Sequence, residues 1–198
     1  IVLFICSINI SKGQDKFNIE FEDIKYRNVG PTRGGRSTTV CGVVNEQFTF
    51  YMGTTGGGVW KTLDGGLNWK NISDNYFKTP SIGSIDIFQA DPSIIYVGTG
   101  SDGIRSNVIV GKGVYKSNDA GSSWEHMGLE DTGQIGAIKI HPENSDIVYA
   151  AAIGQPFKPN NERGLFKSLD GGNSWNKILF ISDKIGIVDI EFSPENPD

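Results

Sequence analysis

Runs of apolar, β-branched and aromatic residues, roughly four to eight long, recur along the chain, each bounded by Gly, Pro, Asn or Asp. This is the pattern of short strands joined by tight turns, and it predicts an all-β chain. It is clearest in the middle third, where strands are expected over 83–88, 94–98, 113–117 and 123–127. The turn between the first two carries Ala90-Asp91-Pro92-Ser93, in which Pro and Asp supply turn geometry. His141-Pro142-Glu143-Asn144 and Ser193-Pro194-Glu195-Asn196 answer it further along.

The pattern is periodic. Lys61-Thr62-Leu63-Asp64-Gly65-Gly66-Leu67-Asn68-Trp69 returns as Lys116-Ser117-Asn118-Asp119-Ala120-Gly121-Ser122-Ser123-Trp124 and as Lys167-Ser168-Leu169-Asp170-Gly171-Gly172-Asn173-Ser174-Trp175. A second element keeps the same phase: Ile82-Gly83-Ser84-Ile85-Asp86-Ile87, Ile135-Gly136-Ala137-Ile138-Lys139-Ile140 and Ile185-Gly186-Ile187-Val188-Asp189-Ile190. Four-stranded units repeating at about 50 residues suggest the antiparallel blades of a β-propeller. The expected blades cover about 36–73, 81–128 and 134–180, with 184–198 opening a fourth, so the ring is incomplete and the remaining blades belong to a longer parent chain. Residues 17–29 are either a strand borrowed by the last blade or part of a lead-in over 14–35.

The three copies fit Ser/Thr-x-Asp-x-Gly-x-Ser/Thr-Trp and resemble the Asp boxes (BNR repeats) of sialidases, sortilin-type receptors and related propellers, with Asn68 departing at one position. An Asp in a hairpin accepts hydrogen bonds from turn amides, the second Gly permits positive φ, and the returning Trp carries a large apolar body between blades. Asp64, Gly66 and Trp69, Asp119, Gly121 and Trp124, and Asp170, Gly172 and Trp175 are therefore assigned a structural task. One role repeated around a ring is not one active site, and the resemblance implies that these hairpins face away from the ligand mouth.

Function is expected on the opposite face, at the loops from second to third strand and from fourth to first. Two of these, 100–112 and 153–163, are long and interrupt the strand pattern with charged and amide groups, as binding loops or as plain solvated ones. They supply Arg105, Asn107 and Arg163 as ligand candidates and Asp102 and Glu162 as the acids to test for catalysis. Arg33 and Arg36, beside glycines where the first inner strand begins, could present a guanidinium to a carboxylate or sulfate, or form a structural ion pair. Tyr26-Arg27-Asn28-Val29-Gly30-Pro31 with Gly34-Gly35-Arg36 resembles the opening of large bacterial exported propellers of the sortilin-like or BNR-repeat glycosyl hydrolase kind.

A sialidase needs an arginine cluster, a Tyr–Glu nucleophile pair and an acid/base Asp, and the Phe/Tyr-Arg-Ile-Pro opening of that family is only echoed by Tyr26-Arg27-Asn28-Val29. Tyr51-Met52-Gly53-Thr54-Thr55-Gly56-Gly57-Gly58-Val59-Trp60 is closer to the strand and loop that present the first catalytic Asp of xyloglucanase-type propellers. Thr55 stands in that place, and a Thr cannot serve as acid or base at neutral pH. The expected function is thus a sortilin-like scaffold that binds a peptide or glycan at the channel mouth. The alternative is a glycoside hydrolase whose carboxylates lie partly outside these residues.

Composition and charge narrow the partners. The net charge of −5 comes from interspersed carboxylates and no basic stripe appears, which argues against nucleic acid. The opening Ile1-Val2-Leu3-Phe4-Ile5-Cys6-Ser7-Ile8 resembles the end of a secretory signal over 1–13, too short to span a bilayer, and an ordinary buried strand is the other reading. A secreted or extracytoplasmic location is expected, periplasmic or cell-surface in a bacterium. Cys6 would leave with the signal and Leu3-Phe4-Ile5 lacks the small residue of a lipoprotein site. That leaves Cys41 as a small hydrophobe on a strand, with no disulfide framework, metal or cofactor implied.

Overall fold

The computed structural model describes residues 35–103 and 108–193, with 195 and 197. The expected signal and lead-in, and the candidates Arg33, Arg105 and Asn107, lie outside the described residues. The described chain forms three four-stranded antiparallel sheets in strict sequence order. The first contains β1 (Ser37–Gly42), β2 (Phe50–Thr54), β3 (Val59–Thr62) and β4 (Lys70–Asn71). The second contains β5 (Ile82–Ile87), β6 (Ile95–Thr99), β7 (Val114–Ser117) and β8 (Glu125–His126). The third contains β9 (Ile135–His141), β10 (Asn144–Ala152), β11 (Gly164–Ser168) and β12 (Asn176–Leu179). Strand positions agree with the apolar runs to within a residue or two, except that the fourth strands of the first two sheets pair over only two residues.

Register is the same in every sheet. Cys41 faces Tyr51 and Tyr51 faces Lys61; Asp86, Tyr96 and Lys116, then Lys139, Tyr149 and Lys167, repeat that row. Side chains alternate faces along a strand, so a common register gives every sheet the same two faces and lets one stack on the next. Two apolar clusters fill the gaps. Tyr51, Val59, Ile82, Val97, Tyr115 and Trp124 join the first sheet to the second, and Tyr96, Val114, Ile135, Val148 and Phe166 join the second to the third.

The stacking needs a small residue at one place. A Cβ on Gly53 would lie 2.5 Å from Ile82 Cγ2, and one on Gly98 would lie 2.5 Å from Ile135 Cγ2. Ile82 and Ile135 are completely buried in these notches. The third sheet has Ala151 there, facing Leu165 as Gly98 faces Val114, and Ile185 of the following segment is 49% exposed. That segment, expected to open a fourth blade, runs beside the third sheet: Ile187 N donates to the Ala152 carbonyl at 3.2 Å, and Glu191 reaches Lys139 at 2.9 Å. It makes an isolated bridge between Ser182 and Ile185 but no ladder, since no described strand lies on its far side to pair with it.

Candidate functional site

Each aspartate hairpin is closed by the same set of hydrogen bonds, and the carboxylate is only half of it. The Thr62 hydroxyl donates to Asp64 Oδ1 at 2.8 Å and accepts the Gly66 amide at 2.9 Å. Ser117 and Ser168 do the same with Asp119 and Gly121 and with Asp170 and Gly172. The carboxylate then receives the backbone amide and the side chain of the residue before the Trp: Asn68 at 2.8 and 2.8 Å, Ser123 at 2.8 and 2.6 Å, Ser174 at 2.9 and 2.6 Å. Asn68 thus does the work of the serine it replaces. These donors favour the ionised form, so Asp64, through its Asn68 and Thr62 bonds, and Asp170, through its Ser174 and Ser168 bonds, are held down at about 2. Asp119 is lowered in the same way, first by Ser123. Two successive left-handed residues make the turn, at Gly65 and Gly66 (φ 70° and 95°) and at Gly171 and Gly172; the middle copy places Ala120 at φ 55°.

The hairpins also tie one sheet to the next. The Trp124 indole donates to the Ile72 carbonyl at 2.9 Å, and that of Trp175 to the Met127 carbonyl at 2.7 Å. In return, Tyr51 Oη and Lys61 Nζ both donate to the Ala120 carbonyl, at 3.1 and 3.0 Å, and Tyr96 Oη and Lys116 Nζ to the Gly171 carbonyl, at 2.9 and 3.4 Å. Each lysine lies over its tyrosine ring, 5.2 Å from the centroid. Burial raises both tyrosines, so the hydroxyls remain donors.

The loops at the opposite end of the strands are joined by backbone hydrogen bonds. Thr55 N bonds the Arg36 carbonyl, Gly58 N that of Pro80, Gly100 N that of Ser81, Gly111 N that of Gly133, and Ile153 N that of Gln134. Thr55 is buried, and its hydroxyl also donates to the Arg36 carbonyl at 3.3 Å. Arg36 is exposed at the start of the first sheet and Glu162 is exposed in its loop. Arg163, a ligand candidate from the sequence, is turned inward instead: Nη1 donates to the Ile153 carbonyl at 2.6 Å, and Nη2 to the carbonyls of Gln155 and Lys158. It is 6% exposed and anchors its own loop, because a loop that leaves the sheet must have its carbonyls satisfied within the protein.

Asp102, one of the two sequence-chosen acids, lines a cavity of about 390 Å³ bounded by the first strands of the three sheets and by 188–189. Cys41, Asp86, Lys139 and Asp189 face it as well, the first three being the residues that pair with Tyr51, Tyr96 and Tyr149. Asp86 accepts the Ile140 amide at 2.7 Å and its own neighbour's, Ile87, at 3.0 Å. Burial raises its carboxyl, against the pull of those amides and of Lys139. Burial works to lower Lys139, but Glu191, Asp86 and Asp189 outweigh it and raise the ammonium. Cys41 is pushed up to about 11 by burial and then by Asp86, so it is a neutral thiol at physiological pH. No three His, Cys, Asp or Glu side chains gather to hold a metal ion among the described residues, and no helix there is long and apolar enough to cross a membrane. Sequence reasoning missed Asp86 and Lys139 as cavity residues and the Tyr–Lys pairs as inter-sheet donors, although all keep the phase of the repeat.

No family model matches the chain, and no curated protein does. Solved structures do. An ancestral GH74 enzyme matches with a TM-score of 0.61 at 20% identity, over 79% of this chain and 20% of that one. The GH74 enzyme of Niastella koreensis matches at 0.54 and 20%, over 70% of this chain and 20% of that one. YCF48, solved bound to D1 peptide, matches at 0.53 and 13%, over 83% of this chain and 46% of its own. The chain thus spans a fifth of the length of the GH74 enzymes and less than half of YCF48. At these identities the likeness concerns architecture: the three sheets are blades of an incomplete β-propeller.

Proposed function

We propose that the protein is an exported propeller scaffold that holds a peptide or glycan segment at its mouth without cleaving it, and that its aspartate hairpins are structural Asp boxes. The observation that carries this reading is Thr55. At the position where the xyloglucanase-type resemblance calls for a catalytic carboxylate, a buried hydroxyl and its amide are both committed to the Arg36 carbonyl. Glycoside hydrolysis needs two carboxyl groups roughly 5–10 Å apart across the bond. Of the two candidate acids, Asp102 lines the cavity and Glu162 is exposed on its loop, which supports binding over hydrolysis in this reading. YCF48, itself solved with a peptide, supports a propeller of this build as a peptide holder. The second reading, a glycoside hydrolase, draws on the likeness to GH74 enzymes.

Peptide and glycan arrays probed with the protein test this. Retention of one ligand class, weakened in Asp102→Asn at unchanged melting temperature, is the expected result. Release of reducing ends from a β-glucan polymer, lost in the same variant, would assign hydrolysis instead.

A further inference from the structure

Lys61 on β3 and Lys70 on β4 stand directly opposite each other in the first sheet, so both side chains leave the same face. Like charges in that arrangement repel, and the other two sheets avoid it: Lys116 faces Glu125 in the second and Lys167 faces Asn176 in the third. Lys61 is held in place, its Nζ bonded to the Ala120 carbonyl at 3.0 Å and lying over the Tyr51 ring. Burial lowers its ammonium, against the pull of Glu46 and Asp119. Lys70 is exposed, and its Nζ makes no ion pair or hydrogen bond among the described residues.

Both lysines line a groove of about 640 Å³ between the first sheet and the hairpin of the second. The groove lies over a junction that is fully formed within the chain, since Gly121 and Ile72, which also line it, are packed so closely that a Cβ on Gly121 would lie 2.5 Å from Ile72 Cδ1. Leu63 and Tyr76, 68% and 41% exposed, give it apolar surface. The tyrosine ring is fixed, because its Oη donates to the Ser122 carbonyl at 3.0 Å across the groove. Asp74 also lines it, but its carboxylate lies beside Gly58, and three residues of extended chain, roughly 10 Å, separate Gly58 from Lys61.

We propose that this groove is a binding site for an acidic oligosaccharide, separate from the mouth. Lys61 and Lys70 hold a carboxylate or sulfate of the sugar, whose negative charge relieves their repulsion, and Leu63 and Tyr76 take its C–H face. The volume lies in the range of small-ligand sites. A peptide strand fits less well: β4 pairs over two residues before the chain turns, with Tyr76 N and Phe77 N both bonded to the Ser73 carbonyl, which leaves a very short edge for strand addition. The net charge of −5 gives polyanions no general attraction to the chain, so retention of one requires a local site. The inference is independent of what the mouth holds.

Calorimetric titration of the protein with an oligogalacturonate, a heparin-derived oligosaccharide and a neutral cello-oligosaccharide tests it. At least one acidic sugar is expected to bind, about tenfold or more weakly in Lys70→Glu, and to be weakened by salt at about 0.5 M. The better binder of the two tells carboxylate from sulfate recognition. Lys70→Glu places at an exposed site the opposite-charge pair that the second sheet already has, so its urea midpoint should equal or exceed that of the unmodified protein, which separates lost binding from lost fold. Asp102→Asn, which alters the mouth, should leave this binding unchanged. The proposal is overturned if neither acidic sugar binds, if Lys70→Glu binds as tightly as the unmodified protein, or if the neutral sugar shows the same affinity and the same loss. Equal binding of an oligoglutamate with the same dependence on Lys70 overturns it in favour of an acidic peptide. Binding lost in Asp102→Asn and kept in Lys70→Glu also overturns it, by moving the sugar to the mouth.

Discussion

Trp124 and Trp69 occupy the same place in the repeat but differ in what surrounds them, and that difference sets what their removal costs. Trp124 is 8% exposed, donates to the Ile72 carbonyl at 2.9 Å and meets Phe77 edge-on at 5.2 Å. Truncation to Ala removes a packed aromatic from the junction of the first two sheets and should cost about 3–5 kcal/mol. Trp124→Phe keeps an edge for Phe77 but loses the hydrogen bond, about 0.5–1.5 kcal/mol, and part of the ring contact, so about 1–3 kcal/mol is expected in total. Trp69→Ala, at a partly exposed site whose indole has no acceptor among the described residues, should cost about 1 kcal/mol. Urea unfolding of the three variants in dilute protein, read as shifts in midpoint at constant m, measures all three. If Trp69→Ala lowers the midpoint as much as Trp124→Ala, or Trp124→Phe leaves it unmoved, the tryptophans do not act as inter-sheet staples and the account of the junction fails.

Three further outcomes are expected. Ala120 sits at φ 55°, where a Cβ costs about 1–2 kcal/mol; Ala120→Gly relieves this against a larger unfolded-state entropy of about 0.4–1 kcal/mol, so a stabilisation of about 0.5–1 kcal/mol should appear in the urea midpoint, and a loss would show that the turn is not strained. Asp170 is lowered to about 2 in the folded chain, so its stabilisation is complete above pH 4 and is lost as pH falls through about 2. Melting temperature followed down that range should fall less steeply in Asp170→Asn than in the unmodified protein, and parallel curves would contradict the assignment. Cys41, raised to about 11, should react with iodoacetamide at pH 8 roughly 100-fold more slowly than an ordinary thiol, as read by mapping of the alkylated peptide; a fast reaction would place it outside the apolar wall.

Most of the architecture was legible because each blade is encoded by local signals repeated in phase. The runs over 83–88 and 94–98 became Ile82–Ile87 and Ile95–Thr99, and the three Asp-Gly-Trp motifs became three identical hairpins. The hairpin chemistry was only half legible: the carboxylates were expected to take the turn amides, whereas the hydroxyls of Thr62, Ser117 and Ser168 take those of the glycines. The Tyr–Lys pairs were readable in principle, since each lysine opens its copy of the motif, but their acceptors lie in the next blade and no local pattern points across that gap. The mouth was least legible. Arg163 reads as a ligand candidate on a long loop and is wrapped by the carbonyls of that loop, a contact set that occurs once and so leaves no periodic trace.

The hydrogen bonds made by the hairpin tryptophans and by the Tyr–Lys pairs run between consecutive sheets among the described residues. Stability of such an array is approximately a chain of nearest-neighbour couplings, in which each sheet is gripped by the sheets it faces. A lesion confined to one seam would split a single melting transition into two, so the spacing between those transitions becomes a direct reading of how strongly each blade holds the next.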